Sequence, residues 1–192
     1  MINQNKIYLI DFDDTIYRGD SFVHFTFYSQ TYINFLFFWM SVVVQLSVGK
    51  SKSQIKESFF FRFKDMRQKD FKILCINFYI KKIKKNIKES FIRYLKKIEK
   101  DAQIVIVSAS IGDYIEPFCK EQDIHLISTE LEINNDKLTG IFRTPNCNGK
   151  EKVRRIKEKY NLKEFDEIHV FGNSKGDFSM LELGTHKYYK FF

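Results

Sequence analysis

The sequence predicts an α/β fold in which a helical segment is inserted into a parallel sheet after the first strand. Two observations predict this class. After residue 100, short runs of β-branched residues alternate with segments of helical character, which is typical of parallel strands joined by helices. A similar apolar run at residues 6–10 lies far from them, because helical patterns occupy the sequence in between.

The first part of the chain contains one predicted strand and several predicted helices. Residues 6–10 form a short apolar run and predict a buried strand. Residues 21–49 carry no Asp, Glu, Lys or Arg, and residues 49–51 then predict a turn between helices. Residues 56–100 lack Gly and Pro and predict two or three helices. Their apolar side chains recur at helical spacing, as at Ile80, Ile83, Ile87 and Phe91.

The second part of the chain alternates between predicted strands and helices. Apolar runs predict strands at residues 104–107, 124–127, 168–171 and 188–191. Helices are predicted at residues 112–121, 150–160 and 178–183. Asn134, Asn135 and Asp136 lie between two short apolar segments and predict a hairpin.

Composition and cysteine content exclude several classes of protein. The 192 residues are 44% hydrophobic and 29% charged, which is typical of a globular chain and not of a disordered one or a fibre. Three scattered Cys residues are too few for a disulfide framework and form no CxxC pair for zinc, which favours a reducing, cytoplasmic compartment. No basic segment followed by an apolar one opens the sequence, so we expect no signal peptide.

The positive charge is concentrated in one block. The chain has a net charge of +8, and residues 51–100 hold 16 Lys or Arg against 5 Asp or Glu. A basic surface attracts anionic partners, among them a soluble phosphorylated substrate. Nucleic acid is the weaker prediction, because no recognised nucleic-acid motif accompanies the block.

Two carboxylates directly follow the first predicted strand. Asp11 and Asp13 flank one residue, so in an extended chain both side chains leave the same face. Two carboxylates this close repel each other unless a cation or a proton intervenes. Magnesium is the usual cation where oxygen atoms are the ligands.

Groups suited to phosphate binding accompany the later strands. Residues 108–110 (Ser-Ala-Ser) offer a hydroxyl and backbone amides at the end of the second strand, with Ser110 expected to be a helix N-cap. Lys152 begins a predicted helix, and residues 172–177 add oxygen ligands after a later strand. Each feature alone is common in surface turns, but parallel sheets bind ligands at the carboxyl ends of their strands. Their joint placement there indicates a site.

In these residues the chain resembles the haloacid dehalogenase superfamily. Residues 11–15 (Asp-Phe-Asp-Asp-Thr) match the first motif, Asp-x-Asp-x-Thr, and Val107-Ser108 matches the second. Lys152 matches the third motif, with Lys150 as the nearby alternative. Residues 172–177 (Gly-Asn-Ser-Lys-Gly-Asp) match the fourth, which is normally Gly-Asp-x-x-x-Asp.

Further segments resemble the phosphoserine phosphatase-like branch of the superfamily. They are residues 107–110, 128–132, 138–140, 149–152 and 180–181. The resemblance covers residues 6–20 and 103–185. It implies a Rossmann-like core at residues 1–17 and 101–192, and a helical cap at residues 18–100.

The resemblance also implies a role for each matched residue. Asp11 is implied as the nucleophile that forms an aspartyl-phosphate, and Asp13 as the acid that protonates the leaving oxygen and then activates water. Ser108, Ala109 and Lys152 are implied to bind the phosphoryl oxygens and to stabilise the transition state.

The implied cofactor is Mg²⁺, held by the Asp11 side chain, the Asp13 backbone carbonyl and the fourth motif. The chain departs from the family here, because Asn173 stands where the family has a metal-binding Asp. The amide is neutral, so the site loses one negative charge. Asp177 is retained, and we expect it to join the coordination directly or through water. We expect a weaker metal affinity, not automatic inactivity.

The charge-free segment leaves three alternatives open for the cap. Residues 21–49 fit an apolar cap packed on itself, a cap lying at a membrane interface, or a segment inserted into the bilayer. In the interfacial case, anionic lipid would face the lysines that follow, notably Lys81, Lys82, Lys84, Lys85 and Lys88. The apolar cap also resembles that of phosphatidylglycerophosphatase C-like proteins, which favours a lipid phosphate as the substrate.

The sequence therefore predicts Mg²⁺-dependent hydrolysis of a phosphate monoester, either a small metabolite or a lipid phosphate. Two alternatives are phosphoryl transfer to an acceptor other than water and a catalytically weak or inactive module that binds membrane surfaces. Asn173 favours the inactive module, whereas the intact Asp11, Asp13, Ser108 and Lys152 oppose it. We expect a cytoplasmic protein, with peripheral contact at the inner membrane face as the alternative.

Overall fold

A computed structural model describes residues 5–98 and 101–192. Residues 1–4 of the predicted core and residues 99–100 of the predicted cap lie outside the described residues. The strands are β1 (Lys6–Ile10), β2 (Gln103–Ile111), β3 (His125–Thr129), β4 (Leu131–Asn134), β5 (Lys137–Phe142), β6 (Glu167–Gly172) and β7 (His186–Tyr189). The helices are α1 (Ser21–Tyr28), α2 (Tyr32–Ser47), α3 (Lys52–Phe60), α4 (Gln68–Phe78), α5 (Lys84–Asn86), α6 (Glu89–Leu95), α7 (Gly112–Gln122), α8 (Lys150–Lys159) and α9 (Phe178–Leu181).

Five strands form one sheet in the order β3-β2-β1-β6-β7, and every pairing in it is parallel. The predicted α/β class is confirmed. The central strand β1 is buried along residues 7–10, as expected for a parallel sheet covered on both faces. One face packs against α8 and α9 through residues such as Ile7, Leu9 and Ile156, and the opposite face merges with the helical segment.

The last strand lies two residues earlier than the sequence predicts. It covers His186–Tyr189 instead of residues 188–191. Lys190 adopts a left-handed backbone with φ of 54°, and its N–H donates to the carbonyl of Gly172. This conformation ends the extended chain, so the apolar pattern continues past the strand.

The segment between β1 and β2 is helical, from α1 to α6. Side chains of Asp20 and Thr31 cap α1 and α2, and the predicted turn at residues 49–51 is present before α3. A π-helical turn (Tyr79–Ile83) joins α4 to α5. Ile87 then interrupts the helical run with an extended backbone that pairs with Tyr17. Ile87 therefore lies between two helices, although its spacing from Ile80, Ile83 and Phe91 is helical.

The β4–β5 hairpin connects the core to the helical segment. Asn135 and Asp136 both have positive φ, which the predicted hairpin turn requires. Asp65 donates from its backbone to Leu138 of β5. Gly140 is needed at this contact, because a Cβ there would lie 2.8 Å from the Cα of Phe61.

Aromatic side chains fill the interior of the helical segment. Phe25 is fully buried, and its ring packs against rings from α3, α4 and α7. Phe22 and Phe38 contact Phe59 and join α1, α2 and α3. The segment therefore has its own apolar core, continuous with one face of the sheet.

Candidate active site

Asp11 lies at the carboxyl end of β1 and is almost fully buried. Its backbone N–H donates to Phe171 of β6, which fixes it at the edge of the sheet. Thr15 donates to one carboxylate oxygen at 2.8 Å, and Lys152 donates to the other at 2.5 Å. Burial raises the pKa of Asp11 above its usual value, whereas the charge of Lys152 acts in the opposite direction.

Asp13 is held from two sides of the molecule. The Ser21 backbone N–H at the start of α1 donates to one carboxylate oxygen at 2.7 Å. The Ser110 hydroxyl of β2 donates to the other at 2.6 Å. Desolvation raises the pKa of Asp13 to about 6; the charge of Asp20 adds to this rise, and that of Lys56 opposes it. A carboxyl group with such a pKa suits proton transfer near neutral pH.

Lys152 lies in the first turn of α8 and is 1% exposed. Its ammonium group donates to Asp11 at 2.5 Å and to Asp177 at 2.7 Å. Although burial works against the charged form, the two carboxylates hold the pKa of Lys152 well above its usual value. The alternative, Lys150, is exposed. The structure therefore brings Lys152, and not Lys150, to the carboxylates.

Ser108 and Ala109 lie near the end of β2, where its pairing with β3 becomes irregular. Ser108 is fully buried, and its hydroxyl accepts a hydrogen bond from the backbone of Ser110. The Ala109 carbonyl accepts from Thr129 at 3.1 Å and from Lys56 at 3.5 Å. The Ala109 carbonyl is therefore hydrogen-bonded both to the core, through Thr129, and to the helical segment, through Lys56.

The loop after β6 holds Asn173 and Asp177 together. Gly172 allows a close approach, because a Cβ there would lie 2.5 Å from the Cβ of Asp177. One oxygen of Asp177 contacts Lys152, and the other accepts from the backbones of Asn173 and Ser174 and from the Ser174 hydroxyl. Both Asp177 oxygens are thus engaged in holding Lys152 and the loop.

The chemistry of these oxygen donors fits a magnesium ion. A carboxylate on Asp11, the backbone carbonyl of Asp13 and the amide oxygen of Asn173 are hard ligands of the kind that Mg²⁺ prefers. The negative charge of Asp177 raises the pKa of Asp11 further. A cation near Asp11 would relieve this repulsion, as Lys152 already does in part.

The predicted role of Ser110 as a helix N-cap is wrong. Ile111 occupies the N-cap position of α7 and no side chain caps the helix. The Ser110 hydroxyl is instead used to hold Asp13. The sequence carried a signal that Ser110 belongs to the site. Ser110 is two residues from Ser108, and alternate residues of a strand share a face. Ser21 and Lys56 carried no comparable sequence signal.

The model of the haloacid dehalogenase-like hydrolase family matches residues 8–182. The chain belongs to this family. The expectation of a hydrolase-type enzyme is thereby confirmed.

Solved structures share the fold of this chain at low sequence identity. A protein of unknown function from Bordetella pertussis Tohama I has a TM-score of 0.84 and 17% identity, over 95% of this chain and 88% of that chain. A haloacid dehalogenase family hydrolase from Salmonella enterica has a TM-score of 0.70 and 16% identity, over 94% and 61%. Phosphoserine phosphatase in its apo form has a TM-score of 0.59 and 16% identity, over 97% and 86%. The search of curated proteins returned no match.

One of the three alternatives for the cap is a segment inserted into the bilayer, which depends on the length and apolar character of a helix. Among residues 5–98 and 101–192, no helix has both the length and the apolar character needed to cross a membrane. The most apolar helix, α2, has 16 residues.

Proposed function

We propose that this hydrolase is a Mg²⁺-dependent phosphatase that cleaves a phosphate monoester through an aspartyl-phosphate on Asp11. The observation that carries the proposal is the buried contact between Lys152 and Asp11 at the end of β1. A carboxylate and a cation buried together at this edge suit the binding and attack of a phosphoryl group. The family and the phosphoserine phosphatase-like fold agree with this chemistry.

In the first step, a carboxylate oxygen of Asp11 attacks phosphorus and the bond from phosphorus to the leaving oxygen breaks. Asp13 gives its proton to that oxygen. Thr15 and Lys152 orient the attacking carboxylate through their hydrogen bonds. We propose that Lys152, the Ser108 hydroxyl and the Ala109 amide hold the phosphoryl oxygens. Burial of Lys152 strengthens its electrostatic effect on the transition state.

In the second step, Asp13 takes a proton from water, and the water oxygen attacks phosphorus. The bond between phosphorus and Asp11 breaks and inorganic phosphate leaves. The pKa of about 6 allows Asp13 to act as acid and then as base near neutral pH. The hydrogen bonds from Ser21 and Ser110 keep its carboxylate in place for both transfers.

We propose that the Asp11 carboxylate, the Asp13 carbonyl and the Asn173 amide oxygen hold Mg²⁺. When bound, the ion would offset the negative charge that otherwise keeps a carboxylate from approaching phosphate. Asp177 is proposed to support the metal site indirectly, because its two oxygens hold Lys152 and the loop that carries Asn173.

We also propose that residues 18–100 form a cap on a core of residues 1–17 and 101–192. Lys56 and Ser21 of this segment reach Ala109 and Asp13 of the core, so a substrate between the two parts would meet both. The substrate class is a small phosphorylated metabolite or a lipid phosphate. For the second class we propose contact of the cap with an anionic membrane surface.

The proposal is tested by hydrolysis of p-nitrophenyl phosphate with Mg²⁺ and with EDTA. We expect turnover that requires the metal and that Asp11→Asn abolishes, because an amide cannot form the phosphoenzyme. Asp70→Asn, which removes an exposed carboxylate of α4, is the matched control and should retain activity. A folded Asp11→Asn protein with wild-type turnover would show that Asp11 is not the nucleophile.

A second candidate function departs from the enzymatic activity of the family: it is a catalytically weak or inactive module that binds membrane surfaces. The neutral Asn173 at the proposed metal site favours it. The same assay decides between the two. Absence of Mg²⁺-dependent turnover on both soluble and lipid phosphate monoesters, by a folded protein, would support the non-catalytic function. Transfer of the phosphoryl group to an added alcohol in preference to water would identify a phosphotransferase.

A further inference from the structure

The outer side of α2 is an exposed apolar surface. We call it the α2 outer face and define it by six side chains that are 43–69% exposed, namely Ile33, Leu36, Phe37, Met40, Val43 and Val44. The inner side of the same helix is buried through Phe38 and Val42. A surface helix normally turns its apolar side to the protein and its polar side to solvent. In α2 the polar residues Asn34, Ser41 and Gln45 instead follow the same stripe as the buried Phe38 and Val42. The outer face of α2 therefore lacks the apolar neighbour that its composition calls for.

Three polar side chains of α2, namely Trp39, Ser41 and Ser47, are hydrogen-bonded within the protein. The Ser41 and Ser47 hydroxyls donate to backbone carbonyls of their own helix. The indole N–H of Trp39 donates to Thr26. An apolar environment imposes a high cost on unpaired polar groups, and these groups would enter it already paired.

The exposed charges at the two ends of the α2 outer face are positive, and Glu57, which lines a cavity with Lys50, is half-buried and accepts a hydrogen bond from the Phe142 backbone. Residues 21–56 contain no Asp or Glu. Lys50 and Lys52 are exposed just beyond the carboxyl end of α2. Near its amino end, Lys82 lines a cavity with Phe27 and Phe35. The apolar surface thus has exposed lysines at both ends of the helix.

Two of the lysines that the sequence predicts to face lipid, Lys84 and Lys88, bind groups within the protein. Lys84 forms an ion pair with Glu121 of α7 at 2.7 Å. Lys88 donates to the backbone carbonyl of Asp14 in the loop after β1. Lys84 and Lys88 therefore have partners within the protein, and the lysines next to the α2 outer face are those at the ends of α2.

We propose that the α2 outer face lies in the interfacial region of an anionic lipid membrane, with the helix axis parallel to the membrane plane. This inference rests on the membrane contact proposed above, and not on the phosphatase activity. The helix of 16 residues is roughly 24 Å long at the usual rise per residue, and its inner side stays on the protein. Lysines at both ends would then meet anionic headgroups.

Charge favours this occupant over a second copy of the chain. Two copies joined symmetrically through α2 would bring their lysines together, because neither contributes an acidic residue from this region. An anionic membrane offers both the apolar interior and the opposite charge.

The fluorescence of Trp39 reports directly on this contact in the unmodified protein. Trp39 is the one Trp of the chain and lies on α2, half-buried beside the outer face. We expect its emission to shift to shorter wavelength with vesicles of phosphatidylcholine and phosphatidylglycerol, and bromine-labelled lipid chains to quench it. Raised salt should weaken the response, because the attraction is screened. Unchanged, unquenched emission with anionic vesicles at low salt would overturn the proposal.

Variants assign the contact to α2. We expect Phe37→Glu with Val44→Glu to abolish sedimentation with anionic vesicles. Ile73→Glu with Ile76→Glu, which places the same charges on exposed apolar positions of α4, should retain it. Equal loss in both pairs would overturn the assignment to α2. Lys50→Glu with Lys52→Glu should weaken binding several-fold more than Lys157→Glu with Lys163→Glu on the core.

Self-association is measured on the same proteins by light scattering after size exclusion. We expect a monomer at concentrations where the vesicles bind it. A dimer that Phe37→Glu and Val44→Glu dissolve, together with no vesicle binding by the wild type, would assign the face to a second copy. The circular dichroism spectrum of each variant must match that of the wild type, so that a loss of binding reflects the surface. Turnover of p-nitrophenyl phosphate is independent of either result.

Discussion

The core and the helical segment differ in which side chains they bury: the core buries charged side chains, and the helical segment exposes apolar ones. In the core, Lys152 is buried between Asp11 and Asp177, and Arg155 is buried against Glu151 and the Ser128 carbonyl. In the helical segment, most lysines are exposed and so are apolar side chains of α2. Buried, paired charges cost solvation and require well-placed partners, so they point to chemistry at that position. Exposed apolar side chains point to contact with another surface.

The two carboxylates after β1 differ in which part of the molecule supplies their hydrogen-bond donors. Asp11 is held entirely by core residues, Thr15 and Lys152. Asp13 is held by Ser110 of the core and by Ser21 of α1. Movement of the helical segment would therefore disturb the proposed acid more than the proposed nucleophile.

The largest expected effect is on the buried charges of the core. Lys152→Met leaves Asp11 and Asp177 buried without their cation, which should cost about 3–5 kcal/mol of stability. It also removes a donor to the transition state, which is worth roughly 10²–10³-fold in turnover. Thermal unfolding and p-nitrophenyl phosphate hydrolysis measure both effects.

Lys150→Met is the matched control, because Lys150 is exposed two residues away on the same helix. It should change neither property appreciably. Equal effects of the two variants would contradict the special role of the buried lysine and remove the contrast between core and surface charges.

Ser110→Ala tests how the acid is held on the core side. Loss of the hydroxyl donor to Asp13 should lower kcat by about 10-fold or more and leave KM nearly unchanged, since general acid–base catalysis is typically worth 10²–10⁴-fold. Ser110→Thr keeps a hydroxyl and should restore much of kcat. Ser53→Ala on α3 is the control. A parallel loss of kcat with Ser110→Thr would indicate a packing role instead of a hydrogen bond.

Asn173→Asp tests the metal site. A second formal charge beside Asp11 should tighten Mg²⁺ binding several-fold, and the Mg²⁺ concentration for half-maximal activity measures it. Asn77→Asp adds the same charge on α4 and should have no effect. An unchanged Mg²⁺ requirement in Asn173→Asp would show that residue 173 is not a ligand.

The smallest expected effect concerns the pH dependence of stability without metal. The pKa of Asp13 is raised from 3.8 to about 6, so the folded state binds its proton more tightly than the unfolded state. This contribution is fully present below about pH 4 and is lost as pH rises through about 6. Asp13→Asn should remove that part of the decline in Tm between pH 4 and 7 in EDTA. An equal decline in both proteins would contradict the raised pKa.

The sequence was sufficient for the features that depend on local pattern. The apolar run before Asp11 predicts β1, and the fourth motif predicts the loop after β6, because parallel strands bring their carboxyl ends to one edge. The contacts of Asp13 with Ser21 and Ser110 depend on a left-handed backbone at Asp14 and on an irregular end of β2. Such backbone detail is set by tertiary packing and leaves little trace in residue type.

The exposure of α2 has a similar origin. The charge-free run predicts an apolar helix, but not which side is covered, because its few polar residues, Asn34, Ser41 and Gln45, lie beside the buried side and not on the exposed one. Contacts of Phe38 with Phe22 and Phe59 decide this, and they depend on how three helices pack. The polar side of α2 therefore does not mark the side that faces solvent, as it does in an ordinary surface helix.

The central claim is that Asp11 becomes phosphorylated, and the mass of the intact protein tests it most directly. The protein is mixed with p-nitrophenyl phosphate and Mg²⁺, quenched in acid within the first turnover, and analysed whole and after digestion. We predict the added mass of one phosphoryl group, located on the peptide with Asp11 and removed by hydroxylamine. Turnover without this added mass, or with the added mass on another residue, would contradict the account.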